Sequence, residues 1–261
     1  MTETRELMEG CAEAARRGGA VLLERWGKTR TIAFKGGIDL VTDADTASEE
    51  AVLGLLRGRF PGAAILAEES GALGAQRGLR FVVDPLDGTT NYAHGIPHFA
   101  VNVAALDDRG IVAGATLDPI RGELFLAGRG EGAWLGDSRI RASACAAPND
   151  AVLVTGFPYD IHVNHERPLR LFGEYVRRAR AVRRFGAAAL DLAWVACGRF
   201  DGFWELRLKP WDIAPGILLV REAGGLATDL GGEDRMLETG DVLAAPPALH
   251  AQLLEVAALA R

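Results

Sequence analysis

The sequence has few cysteines, no long apolar run and fewer basic than acidic side chains, and each of these features argues against a class of protein. Its three cysteines, Cys11, Cys145 and Cys197, are far apart and lack the spacing of metal ligands, so we expect buried small side chains rather than disulfides or a zinc site. No run of about 18 apolar residues could span a bilayer. The net charge of −6 gives no general attraction to nucleic acid or to anionic membranes.

The remaining composition is that of an ordinary globular protein. A chain of 261 residues, 49% of them hydrophobic, can bury a substantial core as one large domain or as two joined halves. The first residues lack the basic-then-apolar order of a secretory signal, and we expect a cytoplasmic protein. The pattern of elements changes near residue 145. We predict an N-terminal α+β half over residues 1–145 and a C-terminal α/β half over residues 146–261, packed as one compact unit.

One stretch, residues 81–92, combines a strand with chemically active groups. Its apolar start predicts a buried strand, which ends in a turn that carries Asp84 and Asp87. Two carboxylates about 4 Å apart repel each other by roughly 4 kcal/mol at an effective dielectric constant of 20, so a pair held in place suggests a bound cation. Gly88–Thr90 then begin a short helical turn, whose amide groups favour an anion. The alternative is a plain strand and turn, because Asp-Pro-x-Asp-Gly is also a good turn sequence.

Two further motifs lie far from this stretch in the chain. Glu68 follows an apolar run, and Asp212 lies in the segment Trp211–Gly216 at the start of a predicted helix. Helix capping is the alternative role for Asp212, because the helix dipole favours a carboxylate at that end.

The three motifs together resemble the inositol monophosphatase family, within the lithium-sensitive, magnesium-dependent sugar-phosphatase superfamily. Asp84–Tyr92 is similar to the first signature of that family, and Trp211–Gly216 with Glu222–Gly225 is similar to the second. The resemblance runs from about Lys35 to Asp241. It implies a layered α/β (α+β) sugar-phosphatase fold with alternating αβαβα layers, a mostly antiparallel N-terminal sheet and a smaller C-terminal α/β half. Short strands separated by turns between residues 99 and 135 fit such a sheet.

The resemblance also implies a phosphoric monoester hydrolase with two to three Mg²⁺ ions per active site. The implied metal ligands are Glu68, Asp84, the backbone carbonyl of Leu86, Asp87 and Asp212. The implied catalytic groups are Glu68 and Thr89, with Asp45 orienting the threonine; helix capping is the alternative role for Asp45. The implied substrate contacts are Asp87, Gly88, Thr89, Ala188 through its backbone, and Glu205, although a lone glutamate on a strand is normally a surface residue. Carboxylates and a carbonyl suit Mg²⁺, which prefers hard oxygen ligands.

The implied reaction is the hydrolysis of inositol monophosphate to inositol and phosphate by a metal-activated water, inhibited by lithium. Related small-molecule phosphatases are the alternative, with histidinol phosphate, fructose 1,6-bisphosphate, NADP or an adenosine bisphosphate as substrate. The resemblance further implies a homodimer, and we expect neither a membrane nor a nucleic-acid partner. The alternative of another class is a protein of this fold that binds RNA or the transcription machinery through the arginines between Arg177 and Arg184. We interpret these arginines instead as an exposed helix end and strand.

Other polar residues are given no part in the site. Lys35 and Asp39 resemble a mobile loop that the family associates with a weaker metal site, but neither is assigned as a ligand. A helix is predicted to start with Asp45 or Thr46 as its cap. His162 and His165 are interpreted as solvated, because no further zinc ligands accompany them.

Overall fold

The computed structural model of the chain describes residues 3–28, 32–34, 40–74 and 78–260. Within these residues the helices are α1 (Glu3–Arg25), α2 (Asp43–Arg59), α3 (Thr89–Ala93), α4 (Glu166–Val176), α5 (Ala188–Ala196), α6 (Pro210–Glu222), α7 (Met236–Thr239) and α8 (Pro247–Ala258). The strands are β1 (Ile32–Phe34), β2 (Leu40–Thr42), β3 (Ala64–Ala67), β4 (Gly71–Leu73), β5 (Arg80–Asp87), β6 (Ala100–Asp107), β7 (Gly110–Asp118), β8 (Glu123–Gly128), β9 (Gly132–Leu135), β10 (Ser138–Arg139), β11 (Val152–Thr155), β12 (Ala181–Arg183), β13 (Gly202–Glu205), β14 (Leu226–Thr228) and β15 (Val242–Ala245).

The larger sheet has eight strands in the order β10-β9-β8-β7-β6-β5-β3-β4. Its neighbouring strands are antiparallel, except that β3 and β5 run parallel. The central strands β5 to β8 are almost entirely buried because helices cover both faces of the sheet, and this explains their long apolar runs. The predicted antiparallel N-terminal sheet is confirmed.

The smaller sheet has five strands in the order β12-β11-β13-β15-β14. β11 is parallel to both β12 and β13, whereas β15 is antiparallel to both of its neighbours. This mixture follows from the alternation of strand and helix in the C-terminal part of the chain. β1 and β2 form a separate antiparallel pair.

Helices separate and flank the two sheets. α1 and α2 pack on one face of the larger sheet, α5 and α6 lie between the two sheets, and α4 and α8 lie beyond the smaller sheet, where α8 packs on β15. The predicted αβαβα layers are thus confirmed. Nearly all of α6 is buried, from Ile213 to Val220, because it contacts both sheets. The division of the chain near residue 145 remains a prediction.

The start of α2 differs from the prediction. Its N-cap is Thr42, whose hydroxyl accepts a hydrogen bond from the Ala44 amide at 3.2 Å. Asp45 is the third residue of the helix, and its Oδ2 accepts from the Thr42 amide at 2.8 Å and from the Thr42 hydroxyl at 2.6 Å. The assignment of Asp45 or Thr46 as the cap was therefore wrong. The three-residue spacing of Thr42 and Asp45 forms a capping box, which places the cap earlier.

The shortages noted in the sequence have simple structural counterparts. Cys11 is buried, Cys145 and Cys197 are half-buried, and all three are free thiols. Among the described helices, none combines the length with the apolar character needed to cross a bilayer.

Candidate active site

The site begins where two parallel strands end side by side. β3 and β5 pair with Ala67 opposite Val83. The residues next in register are Glu68 and Asp84, so both side chains arise at the same edge of the sheet. The Glu68 amide donates to the carbonyl oxygen of Val83 at 3.2 Å, which extends the strand pairing by one residue. Parallel pairing thus explains how two carboxylates from separate motifs come together.

A β-bulge separates Asp84 from Asp87. The three steps between these residues match only two steps of the partner strand β6. Within the bulge, the Leu86 amide donates to Asp84 Oδ1 at 3.0 Å. The strand then turns at Gly88, where φ is 89° and a Cβ atom would lie 3.2 Å from the carbonyl oxygen of His98. Glycine is required here, because a side chain would meet both backbone strain and a close neighbour.

Thr89 and Asp45, which the family resemblance implied as a pair, are hydrogen-bonded to each other. The Thr89 hydroxyl lies 3.0 Å from Asp45 Oδ1 and 3.0 Å from the carbonyl oxygen of Leu86. Its single proton can be donated to only one of these acceptors at a time. Burial raises the pKa of Asp45 to about 6, and the charge of Glu68 adds to this shift, whereas hydrogen bonds from Thr42 and Thr89 oppose it.

Asp212 reaches the site from the C-terminal part of the chain. It is the third residue of α6, and its Oδ2 accepts a hydrogen bond from the Lys209 amide at 2.7 Å. Asn102 of β6 donates through its side chain to the carbonyl oxygens of Trp211 and Asp212, at 2.9 and 3.0 Å. These bonds hold the first turn of α6 against the larger sheet. Asp212 therefore caps the helix and also lies at the edge of the site.

The start of α5 docks on Asp87. The Ala189 amide donates to Asp87 Oδ2 at 2.8 Å, and Ala188, a predicted substrate contact, is the first residue of this helix. Asn91 of α3 donates to the carbonyl oxygen of Phe185 at 2.8 Å, in the loop that precedes α5. The stretch that carries the carboxylates is thus bonded directly to the segment that carries Ala188.

Glu205 is buried rather than exposed on the surface. It is the last residue of β13 and is 7% exposed. Gly156, just after β11, leaves room for its carboxylate, because a Cβ atom on Gly156 would lie under 3.0 Å from three atoms of that group. Burial raises the pKa of Glu205 to about 8; the charge of Asp212 adds to the shift, and the exposed Arg184 opposes it.

The central carboxylates repel one another. Burial, followed by the charges of Glu68, Asp87 and Asp212, raises the pKa of Asp84 well above its usual range. Burial and the charge of Asp212 do the same for Asp87. Asp84 and Asp87 are therefore each within electrostatic reach of Glu68 and Asp212, although the four groups come from three separate motifs. A bound cation would relieve this repulsion and restore the ionised forms.

The carboxylates and the Leu86 carbonyl can hold a hard cation if water or substrate supplies its remaining ligands. Within the described residues, no group of three His, Cys, Asp or Glu side chains converges closely enough to hold a metal ion alone. Mg²⁺ usually keeps several waters and binds through one or two carboxylates plus substrate phosphate, so it does not need such a group. The Leu86 carbonyl has a second lone pair besides the one that faces Thr89. The residues present therefore suit Mg²⁺ and offer no soft ligand for zinc.

Some of the other polar residues lie away from this site. Lys35 and Asp39 fall outside the described residues. His162 and His165 are exposed, as interpreted. The arginines at the end of α4 pair with acidic neighbours, whereas Arg184 lies near enough to Glu205 to influence its pKa.

Sequence reasoning missed three residues that support the site. The Glu49 carboxylate accepts hydrogen bonds from two amides of the turn after β3, at 2.9 and 3.0 Å. The Ser48 hydroxyl donates to the carbonyl oxygen of Pro85 at 2.8 Å. Asp45, Ser48 and Glu49 share one face of α2, and this polar stripe on a packed helix was the signal available in the sequence. Asn102, which anchors α6, is the third, and nothing local in the sequence distinguishes it.

The fold and the site together define a class of protein. Buried, mutually repelling carboxylates at a strand end suit hard metal ions, and an adjoining hydrogen-bonded threonine and aspartate suit proton transfer, which together fit a metal-dependent hydrolase.

Comparison with known proteins identifies the family within this class. A family model described as the inositol monophosphatase family matches residues 3–260, and the chain belongs to this family. It is an enzyme, a phosphatase of a metal-dependent family that acts on phosphorylated substrates. The family and enzyme class inferred from the sequence are confirmed.

The relatives include proteins with two kinds of name. An inositol-1-monophosphatase of Caulobacter vibrioides is 43% identical over 249 residues, which cover 93% of this chain and 97% of the relative. A putative Nus factor SuhB of Neisseria meningitidis serogroup B is 42% identical over 250 residues, which cover 94% of this chain and 95% of the relative. The solved structure of an inositol monophosphatase from Anabaena (Nostoc) is 38% identical with a TM-score of 0.91, and the match covers 99% of this chain and 97% of that chain.

Proposed function

We propose that this protein is a magnesium-dependent phosphomonoesterase that hydrolyses inositol monophosphate to inositol and phosphate. The observation that carries the proposal is the set of mutually repelling carboxylates Glu68, Asp84, Asp87 and Asp212, next to the hydrogen-bonded Thr89 and Asp45. A cation held by these carboxylates would neutralise the charge of a phosphate bound at the same edge of the sheet.

Two to three Mg²⁺ ions would be held by the residues of this set. One ion would take Glu68, Asp84 and the carbonyl of Leu86, a second would be held among Asp84, Asp87 and Asp212 with waters and substrate phosphate as further ligands, and Glu68 would face a third. When bound, the ions supply the positive charge that makes water nucleophilic and that stabilises both the phosphate and the departing alkoxide.

Thr89 and Asp45 would handle the proton of the attacking water. With its proton directed to Asp45 Oδ1, the Thr89 oxygen presents lone pairs to the water, and the proton released passes through the hydroxyl to that carboxylate. Asp45 is held for this task by two hydrogen bonds from Thr42 to its other oxygen. Glu68 would help to orient the same water.

The polyol part of the substrate would lie on the C-terminal side of the site. The amides of Gly88 and Thr89 meet the phosphate, whereas Asp87, the backbone of Ala188 and Glu205 meet the hydroxyl groups. Asp87 joins the two regions, because it accepts the Ala189 amide at 2.8 Å. A buried carboxylate such as Glu205 is well suited to hydroxyl groups, since it is shielded from competing water.

The test is phosphate release from inositol 1-phosphate, compared with histidinol phosphate, fructose 1,6-bisphosphate, NADP and an adenosine bisphosphate. Each ester is measured with Mg²⁺, with chelator and with added lithium. The proposal expects magnesium-dependent, lithium-sensitive turnover with the highest kcat/KM for inositol 1-phosphate. A clear preference for another ester would assign the protein to a different substrate, and no turnover of any ester would refute the metal mechanism.

A second candidate role is binding to the transcription machinery, which the relatives named Nus factor SuhB favour through 42% identity over nearly the whole chain. Arg183 is its best surface residue, because it is exposed and, among the described residues, its guanidinium hydrogen-bonds to the adjacent carbonyl of Val182. Arg183→Ala should weaken binding of RNA or RNA polymerase and leave phosphate release unchanged. The homodimer and the cytoplasmic location stay predictions, and light scattering would test the first.

A further inference from the structure

Arg207, in the connection between β13 and α6, has an unusual backbone conformation. Its φ is 59°, and it alone among the described non-glycine residues has a positive φ. This conformation strains a residue with a Cβ atom and persists mainly where function maintains it. Glycine would adopt it without strain, so the presence of an arginine calls for an explanation. The connection joins Glu205, assigned to the polyol, to Asp212, assigned to a metal ion.

The side chain of Arg207 ties this connection to segment 157–164, which follows β11. One nitrogen, Nη2, lies 2.7 Å from Asp160 Oδ1 and donates to the carbonyl oxygen of Asn164 at 3.1 Å. The Asn164 side chain donates in turn to Asp160 Oδ2 at 2.6 Å, which folds the segment into a turn. The Arg207 amide donates to Asp241 Oδ1 at 3.2 Å. Arg207 is thus held at its backbone and holds the turn with its side chain.

The same segment begins beside the region assigned to the polyol. Gly156, the residue that precedes it, lies against the Glu205 carboxylate, because a Cβ atom on Gly156 would be 2.3 Å from each carboxylate oxygen. One residue earlier, the Thr155 hydroxyl donates to the carbonyl oxygen of Trp204 at 2.5 Å. Gly156 is therefore fixed on one side by the smaller sheet and on the other by the segment that Arg207 ties down.

We propose that Arg207 is a positioning residue, which sets the selectivity of the enzyme for a polyol phosphate by keeping segment 157–164, and with it Gly156, in place beside Glu205. The inference rests on the proposed function of the site. Glu205 meets the substrate, and Arg207 acts through it. Without the tether, Gly156 can shift, and the carboxylate for which it leaves room loses its fixed position. Asp212 is anchored separately, through the Lys209 amide.

The first experiment compares Arg207→Gly and Arg207→Lys with the wild-type enzyme, each loaded with Mg²⁺. The readout is the ratio of kcat/KM for inositol 1-phosphate to kcat/KM for phenyl phosphate, which carries no polyol. Arg207→Gly keeps the backbone conformation but removes the tether, and it should lower this ratio about tenfold, mainly through KM, as expected for one weakened hydrogen bond to the substrate. Arg207→Lys should stay within about threefold of wild type, because a single nitrogen makes both contacts and an ammonium group has three donors.

Two further variants complete this comparison. Asp160→Ala removes the other partner of the tether and replaces Arg207→Gly if that variant does not fold, with the same expected loss. Arg235→Ala is the matched control, because it also removes an exposed ion pair, with Glu238 at 3.1 Å, and it should leave the ratio unchanged.

Two measurements on the metal-free protein separate positioning from a general loss of structure. Tyr159 lies in the tied segment and is 59% exposed, so chymotrypsin cleavage after it reports local opening of the segment. Cleavage should be about fivefold faster in Arg207→Gly than in the wild type. The Tm of Arg207→Gly should stay close to the wild-type value, because glycine relieves the strain at this φ while only one exposed ion pair is lost.

The inference is overturned if Arg207→Gly keeps the wild-type selectivity, or if Arg207→Lys loses as much as glycine does. Equal losses for both esters together with a marked fall in the Tm would show a structural role and would also overturn it. Unchanged cleavage after Tyr159 would refute the tether itself. If the wild-type enzyme turns over neither ester, the proposed function fails independently, and the cleavage rates still test the tether.

Discussion

A substitution at Gly156 can displace the Glu205 side chain while Glu205 itself stays unchanged. A Cβ atom at this position would lie under 3.0 Å from both carboxylate oxygens of Glu205 and from the carbon between them, whereas ordinary contacts start near 3.4 Å. In Gly156→Ala the carboxylate must therefore retreat by about 1 Å. Since Glu205 is 7% exposed, it has little free space into which to move without disturbing its neighbours.

The expected consequence is a loss of substrate positioning. A displacement of about 1 Å can cost on the order of 100-fold in rate, so we expect kcat/KM for inositol 1-phosphate to fall by up to about that factor. Steady-state kinetics measures the loss, and urea unfolding measures any change in stability. Gly54→Ala is the matched control, because a Cβ atom there meets nothing within 4 Å. It should stabilise α2 by about 0.5–1 kcal/mol and leave the kinetics unchanged.

A second substitution tests the cause. Glu205→Asp shortens the side chain by one methylene and removes the clash, so adding Gly156→Ala to that variant should cost far less than it costs in the wild type. Such non-additivity is the signature of direct contact. If Gly156→Ala retains wild-type kinetics, or if its cost is the same in both backgrounds, then Glu205 does not position the substrate as reasoned here.

The remaining predictions concern the metal, the proton and the pH. Asp84→Asn should reduce kcat at least 100-fold and abolish the rise in Tm that Mg²⁺ causes; a variant that keeps either property would contradict metal binding by Asp84. Thr89→Val should lower kcat by about 10²–10⁴-fold without changing the fold, whereas Thr89→Ser should retain most of the activity. Equal activities of these two variants in stopped assays of phosphate release would refute proton transfer through the Thr89 hydroxyl. Metal-free protein should lose stability as the pH rises from about 4.5 to 8, because folding raises the pKa of Glu205 to about 8 and the folded state keeps a proton that the unfolded chain releases. Glu205→Gln should remove on the order of 4 kcal/mol from the loss of unfolding free energy between these two pH values, measured by urea unfolding at each pH. An unchanged pH dependence would show that the pKa of Glu205 is not raised.

Local signals in the sequence located the irregular backbone around the two aspartates but not its form. The strand was predicted to end before a turn that carries Asp84 and Asp87, whereas β5 continues to Asp87 and the two aspartates flank a β-bulge inside it, because pairing with β6 extends the strand. Asp212 lies in the predicted first turn of its helix, since such a turn depends on neighbouring residues alone. Strand patterns likewise predicted the antiparallel sheet between residues 99 and 135.

Features that depend on distant packing could not be predicted in this way. A lone glutamate on a strand is usually exposed, and only the folded structure shows that Glu205 is buried, with Gly156 leaving room for its carboxylate. Arg207 appears in the sequence as one arginine among many, and only its positive φ and its contact with Asp160 distinguish it. The cap of α2 was misplaced because Asp45 suits both the cap and the third position, and the choice depends on Thr42.

The position of α6 between the two sheets has a consequence for how activity can arise. Its first turn brings Asp212 to a sheet built from the earlier part of the chain, where Asn102 holds it. Neither part alone carries the whole set of carboxylates, so fragments expressed separately would be inactive until they reassociate. Turnover should therefore be detected only when both parts of the chain are assembled. A cation bound by both Asp84 and Asp212 would also link these two parts reversibly.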